Sequence, residues 1–201
     1  MGLISNGTTI FDDGVMASGL LSTSNMIKIK DITASASSTL DFTSGIDSTY
    51  KEYLFTFSSM HPSNDQQQFT FQVDTGTNTN YNQVITSNTF QAYHNESGAG
   101  PTLTYVTGYD QAQGTAAQMI SEATGNAADE CVSGYLHLFE PSSATFVKHF
   151  IGRTQAAEGT GYSGEHYTGG YINTTTAITR VQFAFVTGNI DAGQICLYGI
   201  L

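Results

Sequence analysis

Positive charge is what this sequence has least of. Six Lys and Arg stand against 17 Asp and Glu in 201 residues, a formal net charge of -11. Lys28 and Lys30 are the nearest approach to a basic cluster. A phosphate backbone is held by several convergent cations, so DNA and RNA are excluded as direct partners. The same charge argues against an anionic membrane surface. Only two cysteines occur, Cys131 and Cys196. They read as buried free thiols, with a bridge open only if their strands are neighbours. No apolar run approaches membrane-spanning length. The opening MGLISNGTTIFDDG has neither a basic n-region nor a continuous apolar stretch, so it reads as no secretory signal. Asn6 stands where a myristoylation pattern needs Ser or Thr.

Charged residues of either sign make up 11% of the chain, where about a quarter is usual. Thr, Ser, Asn, Gln and Gly must therefore cover most of the surface. Tryptophan is absent and proline is scarce, but 12 Phe and 11 Tyr are present. These residues, with Thr, Val and Ile, suit a pleated surface. The length fits one domain with an arm, and a core of that size needs no covalent staple.

Period-2 alternation dominates from Met26 onward. Tyr53, Phe55 and Phe57 fall on one face, as do Phe69, Phe71 and Val73, and Val181, Phe183 and Phe185. Turn residues separate the runs, as in His61-Pro62-Ser63-Asn64-Asp65 and Thr187-Gly188-Asn189. One weak helix candidate, equally readable as a long loop, runs from Asp110 to Ala128 between Gly114 and Gly125. About nine or ten strands without βαβ alternation predict an all-β fold, an antiparallel two-sheet β-sandwich of jelly-roll type over 26–201. Residues 1–25 differ. Leu3, Ile4, Ile10 and Phe11 are apolar and spaced without a sustained period, as in an extended arm laid on a neighbouring subunit or an edge strand of the same domain.

Motifs for chemistry are sparse. Gly159-Thr160-Gly161-Tyr162-Ser163-Gly164 matches G-x-G-x-x-G but opens no helix, so it reads as a loop. Ser163 fails the nucleophile-elbow spacing because Glu165 takes the place of the last glycine. His61 and His94 are scattered, and no triad is visible. Among carboxylates, Glu96, Asp129, Glu130 and Glu165 are the first to examine for paired acid chemistry. Three matches to the glycosylation sequon read as chance. Tyr162, Tyr167 and Tyr171 offer rings for sugar stacking, although alternate residues of a loop-flanked strand explain them better. No catalytic residue, cofactor or metal site is expected.

The stretch YLHLFEPSSATFVKHF, from Tyr135 to Phe150, reads as a hairpin. A two- or four-residue loop pairs Tyr135 with Phe150 and Phe139 with Phe146. A three-residue loop slips the register and sets His137 opposite His149. Aromatic cross-strand pairs contribute about 0.2–1 kcal/mol each, which favours the first register. His137 and His149 then point to opposite faces and form no metal site. Leu136, Leu138, Val147 and Ile151 make a core face. Tyr135, Phe139, Phe146 and Phe150 make a second apolar face, which another layer or another chain must cover.

Several segments resemble virion structural proteins of tailed marine bacteriophages, including those of cyanobacteria. They are Val132 to Phe139 with Pro141-Ser142-Ser143 and Thr145 to Phe150, Ala92 to Glu96, Tyr171 to Thr175, and Gly188 to Ile200. The resemblance runs from about Met26 to the C-terminus. It implies a place on the particle exterior and no reaction. The expected function is a capsid decoration or cement protein that self-associates as a trimer and contacts other virion proteins, such as the major capsid protein. The interface would use Leu3, Ile4, Ile10, Phe11, Tyr135, Phe139, Phe146 and Phe150. The alternative is a tail-associated module that binds host glycan through Tyr162, Tyr167 and Tyr171.

Overall fold

The computed structural model describes residues 25–201 in full, together with the backbone of three short strands before them. Those strands, β1 (Leu3–Ser5), β2 (Thr8–Asp12) and β3 (Val15–Met16), form a small antiparallel sheet. The side chains of Leu3, Ile4, Ile10 and Phe11 lie outside the described residues.

Thirteen further strands make one antiparallel sheet: β4 (Met26–Thr33), β5 (Leu40–Phe42), β6 (Glu52–Pro62), β7 (Gln67–Thr75), β8 (Ile85–Asn95), β9 (Thr102–Tyr105), β10 (Ala112–Gly114), β11 (Gln118–Thr124), β12 (Val132–Phe139), β13 (Lys148–Glu158), β14 (Tyr162–Ile172), β15 (Ile178–Phe185) and β16 (Ile190–Ile200). The fold is all-β, with more strands than the alternation alone suggests. No helix occurs among the described residues. The helix candidate over 110–128 holds β10 and β11 instead. Gln118 and Ile120 alternate inward there, and β11 pairs with β7.

From one edge the strands run β4-β16-β6-β12-β13, so the C-terminal strand β16 lies between β4 and β6. β13 then pairs with β14 along its whole length, and β14 pairs with β8. Both β9 and β10 pair with β8. A single pairing, Thr124 with Glu158, joins β13 to the series β11-β7-β15-β5. That series folds back over the inner side of the longer run, giving a nearly closed, barrel-like sheet.

The core fills this wrap. Phe183 of β15 sits 5.3 Å from Phe55 and 5.1 Å from Phe57 of β6, ring centroid to ring centroid. Phe42, Phe69 and Phe71 also pack against it. Mixed edge-on, tilted and stacked contacts of this kind add about 0.5–1.5 kcal/mol per pair beyond area burial. Two buried polar groups pin the surrounding loops. Asp74 accepts from the backbone N–H of Thr75 and Tyr81 (2.8 and 2.9 Å) and from Gln83 Nε2 at 3.1 Å. Gln72 Nε2 donates to the carbonyls of Gln83, Thr115 and Ala116.

The hairpin register differs from both expected ones. Leu138 pairs with Phe150, His137 with Ile151 and Tyr135 with Arg153. The connection is longer than expected, spanning residues 140–147. The physical reason is Lys148. Its fully buried Nζ donates to the carbonyls of Ser143 (2.5 Å), Phe146 (3.1 Å) and Thr174 (3.0 Å), drawing the loop into a closed turn. Burial also lowers the Lys148 pKa from its usual 10.5. The shift in register moves side chains between faces. Phe150 is a core residue, 1% exposed, with its ring 5.0 Å from Phe71, so it cannot serve as an interface residue. Ile151, expected in the core, is 52% exposed. His137 and His149, expected on opposite faces, both point outward.

Candidate functional site

Two features of the described residues stand out, one on each side of the sheet. The first is an outward row. Register places Thr56, Tyr135, Arg153, Tyr167, Phe90 and Tyr105 side by side across six strands, from β6 through β12, β13, β14 and β8 to β9. Alternation turns all of these outward, because their neighbours Leu136, Gly152, Thr154, His166 and Thr168 face in. The rings of Tyr167 and Phe90 stack at 4.8 Å and 4°. The Arg153 guanidinium sits 5.1 Å from the Tyr167 ring centre and donates from Nε to Glu165 Oε1 at 2.6 Å. A shallow cleft of about 180 Å³ opens between Tyr135, Ile151, Phe90 and Tyr167, where Gly169 and Asn88 leave room. Phe90, Tyr105 and Ile151 are all more than two-fifths exposed, and Leu103 of β9 continues the apolar surface.

The second feature is a polar pocket of about 320 Å³ where β8, β11 and β14 converge at the end of β13. Glu122, Glu158, Gln91, Gln66, Tyr93 and Tyr162 line it, with Ala123 and Thr160. Local structure aims both carboxylates there. Glu122 follows Gln118 and Ile120 at alternate positions of β11, and the strand bulges beside it, where the register with β7 shifts on both sides of Ser121 and Ala123 takes φ 44°. Glu158 ends β13, and its carboxylate crosses Gly164 on β14, at a spot a Cβ would fill. Burial pushes the Glu158 carboxyl up to about 7, and the neighbouring Glu122 charge pushes the same way. The Tyr109 hydroxyl donates a short hydrogen bond to Glu122 Oε1. Burial, helped by that bond, raises the tyrosine pKa.

His166 lies behind the carboxylates, 2% exposed, with Nε2 4.0 Å from Glu158 Oε1. Burial lowers its pKa to about 4, so the ring is neutral at pH 7. Its Nε2 accepts from the Glu122 backbone N–H at 3.3 Å, which places the proton on Nδ1. That Nδ1 and the Oε1 of Gln91 are buried without a hydrogen-bond partner. A buried acceptor and donor left in this way cost about 1–3 kcal/mol each, and for Gln91, which lines the pocket, a ligand group or solvent would relieve it.

Sequence-selected residues are dispersed over these features. Tyr135 and Phe139 lie half-buried on the outer face, the latter against His137 at 4.2 Å between ring centres. Phe146 is 70% exposed in the 140–147 loop. Tyr167 and Tyr171 share the outer face of β14, whereas Tyr162 turns inward to the pocket and meets Tyr93 at 5.7 Å. The three tyrosines therefore form no single platform. Among the carboxylates, Glu165 pairs with Arg153, and Asp129 and Glu130 line a separate cleft with His61 and Cys131. Both cysteines are free. Gly159, Thr160 and Gly161 form the tight turn between β13 and β14, and Tyr162, Ser163 and Gly164 open β14. Among the described residues no group of three His, Cys, Asp or Glu is arranged to hold a metal ion. The pair that does meet, Glu122 and Glu158, was not among the carboxylates singled out. The available signal was the alternation of Gln118, Ile120 and Glu122.

Compared with known proteins, the chain matches no protein-family model, no curated protein and no solved structure.

Proposed function

We propose that the chain is a structural protein of a phage virion, a capsid decoration or cement subunit with a jelly-roll-like sandwich fold that self-associates as a trimer. The observation that carries self-association is the outward aromatic row. Contiguous exposed apolar surface is uncommon on a monomer and marks a contact surface. Aromatic side chains and an arginine at its centre are the residue types enriched in such contacts. The low density of charge across the chain fits a surface that packs in a shell. The resemblance to marine phage virion proteins supplies the setting. Tyr135 belongs to this row and Phe139 lies on the same outer face of β12, so this surface takes over the role first given to Phe150.

Analytical ultracentrifugation tests the reading. The wild-type chain is expected to sediment as a trimer, and Ile151→Glu, at an exposed position, as a folded monomer. A wild-type chain that stays monomeric at micromolar concentration, or a variant that associates unchanged, refutes it. Electron microscopy of the particle adds the copy number. A count near that of the major capsid protein fits decoration, and a handful per particle points to the tail. A second reading, host-glycan recognition, is favoured by the exposed Tyr167 and Phe90 stack beside its shallow cleft.

A further inference from the structure

The geometry points to the pocket of Glu122, Glu158, Gln91 and Tyr162 as a binding site for a neutral, hydroxyl-rich ligand, a sugar ring presenting adjacent hydroxyl groups. This site is separate from the outward row and does not depend on self-association. Three observations carry it. The Gln91 side chain lines the pocket, is 8% exposed, and keeps its Oε1 without a partner. An orphaned acceptor in the wall of a cavity asks for an O–H or N–H from a ligand. Next, the lining mixes acceptors and donors: two carboxyl groups, two glutamine amides and the Thr160 hydroxyl. A sugar hydroxyl both donates and accepts, whereas an ammonium group needs acceptors alone. Lastly, Tyr93 and Tyr162 meet at an interplanar angle of 75°, a corner that presents ring surface beside the polar groups instead of a closed aromatic cage. No Lys or Arg lines the pocket, so an anionic sugar would meet uncompensated carboxylate charge. Left-handed backbone at Gln66 (φ 55°) and Ala123 (φ 44°) holds the rim in this shape.

Amide NMR spectra of the full chain, titrated with methyl glycosides of glucose, galactose, mannose and N-acetylglucosamine, test the proposal. Concentrations up to about 50 mM reach the millimolar affinities of a single-sugar contact. At least one glycoside is expected to shift the amides of Glu122, Ala123, Glu158 and Thr160, with glucuronate and tetramethylammonium leaving them in place. Gln91→Met removes the orphaned acceptor, so it is expected to keep or raise the melting temperature and to weaken binding by about tenfold or more. Tyr162→Ala, at the open end of the pocket, is expected to weaken it as well. No shift with any glycoside, a response to tetramethylammonium alone, or a Gln91→Met chain that binds as well as wild type overturns the proposal. Shifts confined to Phe90, Arg153 and Tyr167 also overturn it and favour glycan recognition on the outer face. None of these outcomes alters the sedimentation result expected for the outward row.

Discussion

Replacing Glu158 by glutamine is expected to stabilise the protein in alkali and do little in acid. The carboxyl is 12% exposed and moves from its ordinary 4.5 up to about 7 in the folded chain. A folded pKa above the unfolded one contributes stability in full below pH 4.5 and loses it as pH rises through about 7. The gap between the two values is worth about 3 kcal/mol at about 1.4 kcal/mol per pKa unit. At about pH 9 the wild-type chain carries that whole cost, because the buried carboxylate is ionised beside Glu122. A glutamine never ionises, so Glu158→Gln gains up to about 3 kcal/mol there, or about 6–12 °C in melting temperature for a chain of this size. At about pH 4 both side chains are neutral in either state, and the difference falls to a few tenths of a kcal/mol. His166 titrates the other way. Its folded pKa of about 4 lies below the unfolded 6.5, so its stability is present above 6.5 and lost as pH falls through about 4. That loss is common to both proteins and cancels in the comparison. Thermal melts followed by circular dichroism across this range read the effect. A melting-temperature difference that does not grow with pH, or a variant less stable than wild type at about pH 9, refutes the placement of Glu158 in a desolvated pocket.

Phe183→Ala is expected to cost about 3–5 kcal/mol, measured by urea unfolding, because its ring meets five other phenylalanines and no neighbour can fill the space. Lys148→Met is expected to cost about 2–3 kcal/mol, since three partly buried carbonyls lose their donor and the desolvation relieved by removing the charge offsets only part of that. Hydrogen exchange would show the loss in the 140–147 loop, with the Phe146 amide, now bonded to Ser143 Oγ at 2.9 Å, exchanging faster. An unchanged melting temperature together with unchanged exchange would refute the role given to Lys148.

Strands were readable where one face is apolar and the other polar. Tyr53, Phe55 and Phe57, Phe69, Phe71 and Val73, and Val181, Phe183 and Phe185 all lie in the core, as their alternation requires. The hairpin register was not readable. The cross-strand rule compares aromatic pairs, and the actual loop is held by an ammonium reaching Thr174, 26 residues away. That contact outweighs a few tenths of a kcal/mol per ring pair. The polar pocket was hidden for a related reason. Glu122 sits on a bulged strand whose glycine-bracketed surroundings suggested a helix, and Glu158 ends a strand of another part of the sheet. They come together through a single pairing, Thr124 with Glu158, which no local pattern announces. The outward row was half readable. Tyr135 and Phe139 were placed on a second apolar face that another layer or another chain must cover, but Phe90 and Tyr105 join Tyr135 only through long-range register.

The position of β16 governs how this chain reaches its shape on the ribosome. β6 ends at Pro62, and the strand that completes its edge begins at Ile190. Until Ile190–Ile200 has emerged, β4 has no neighbour and β6 keeps a bare flank, so a nascent or prematurely terminated chain presents open backbone donors and acceptors to other copies. Closing so distant a pairing is slow. During synthesis, then, the hazard is misassembly between half-made chains, and the docking of β16 between β4 and β6 is what ends it.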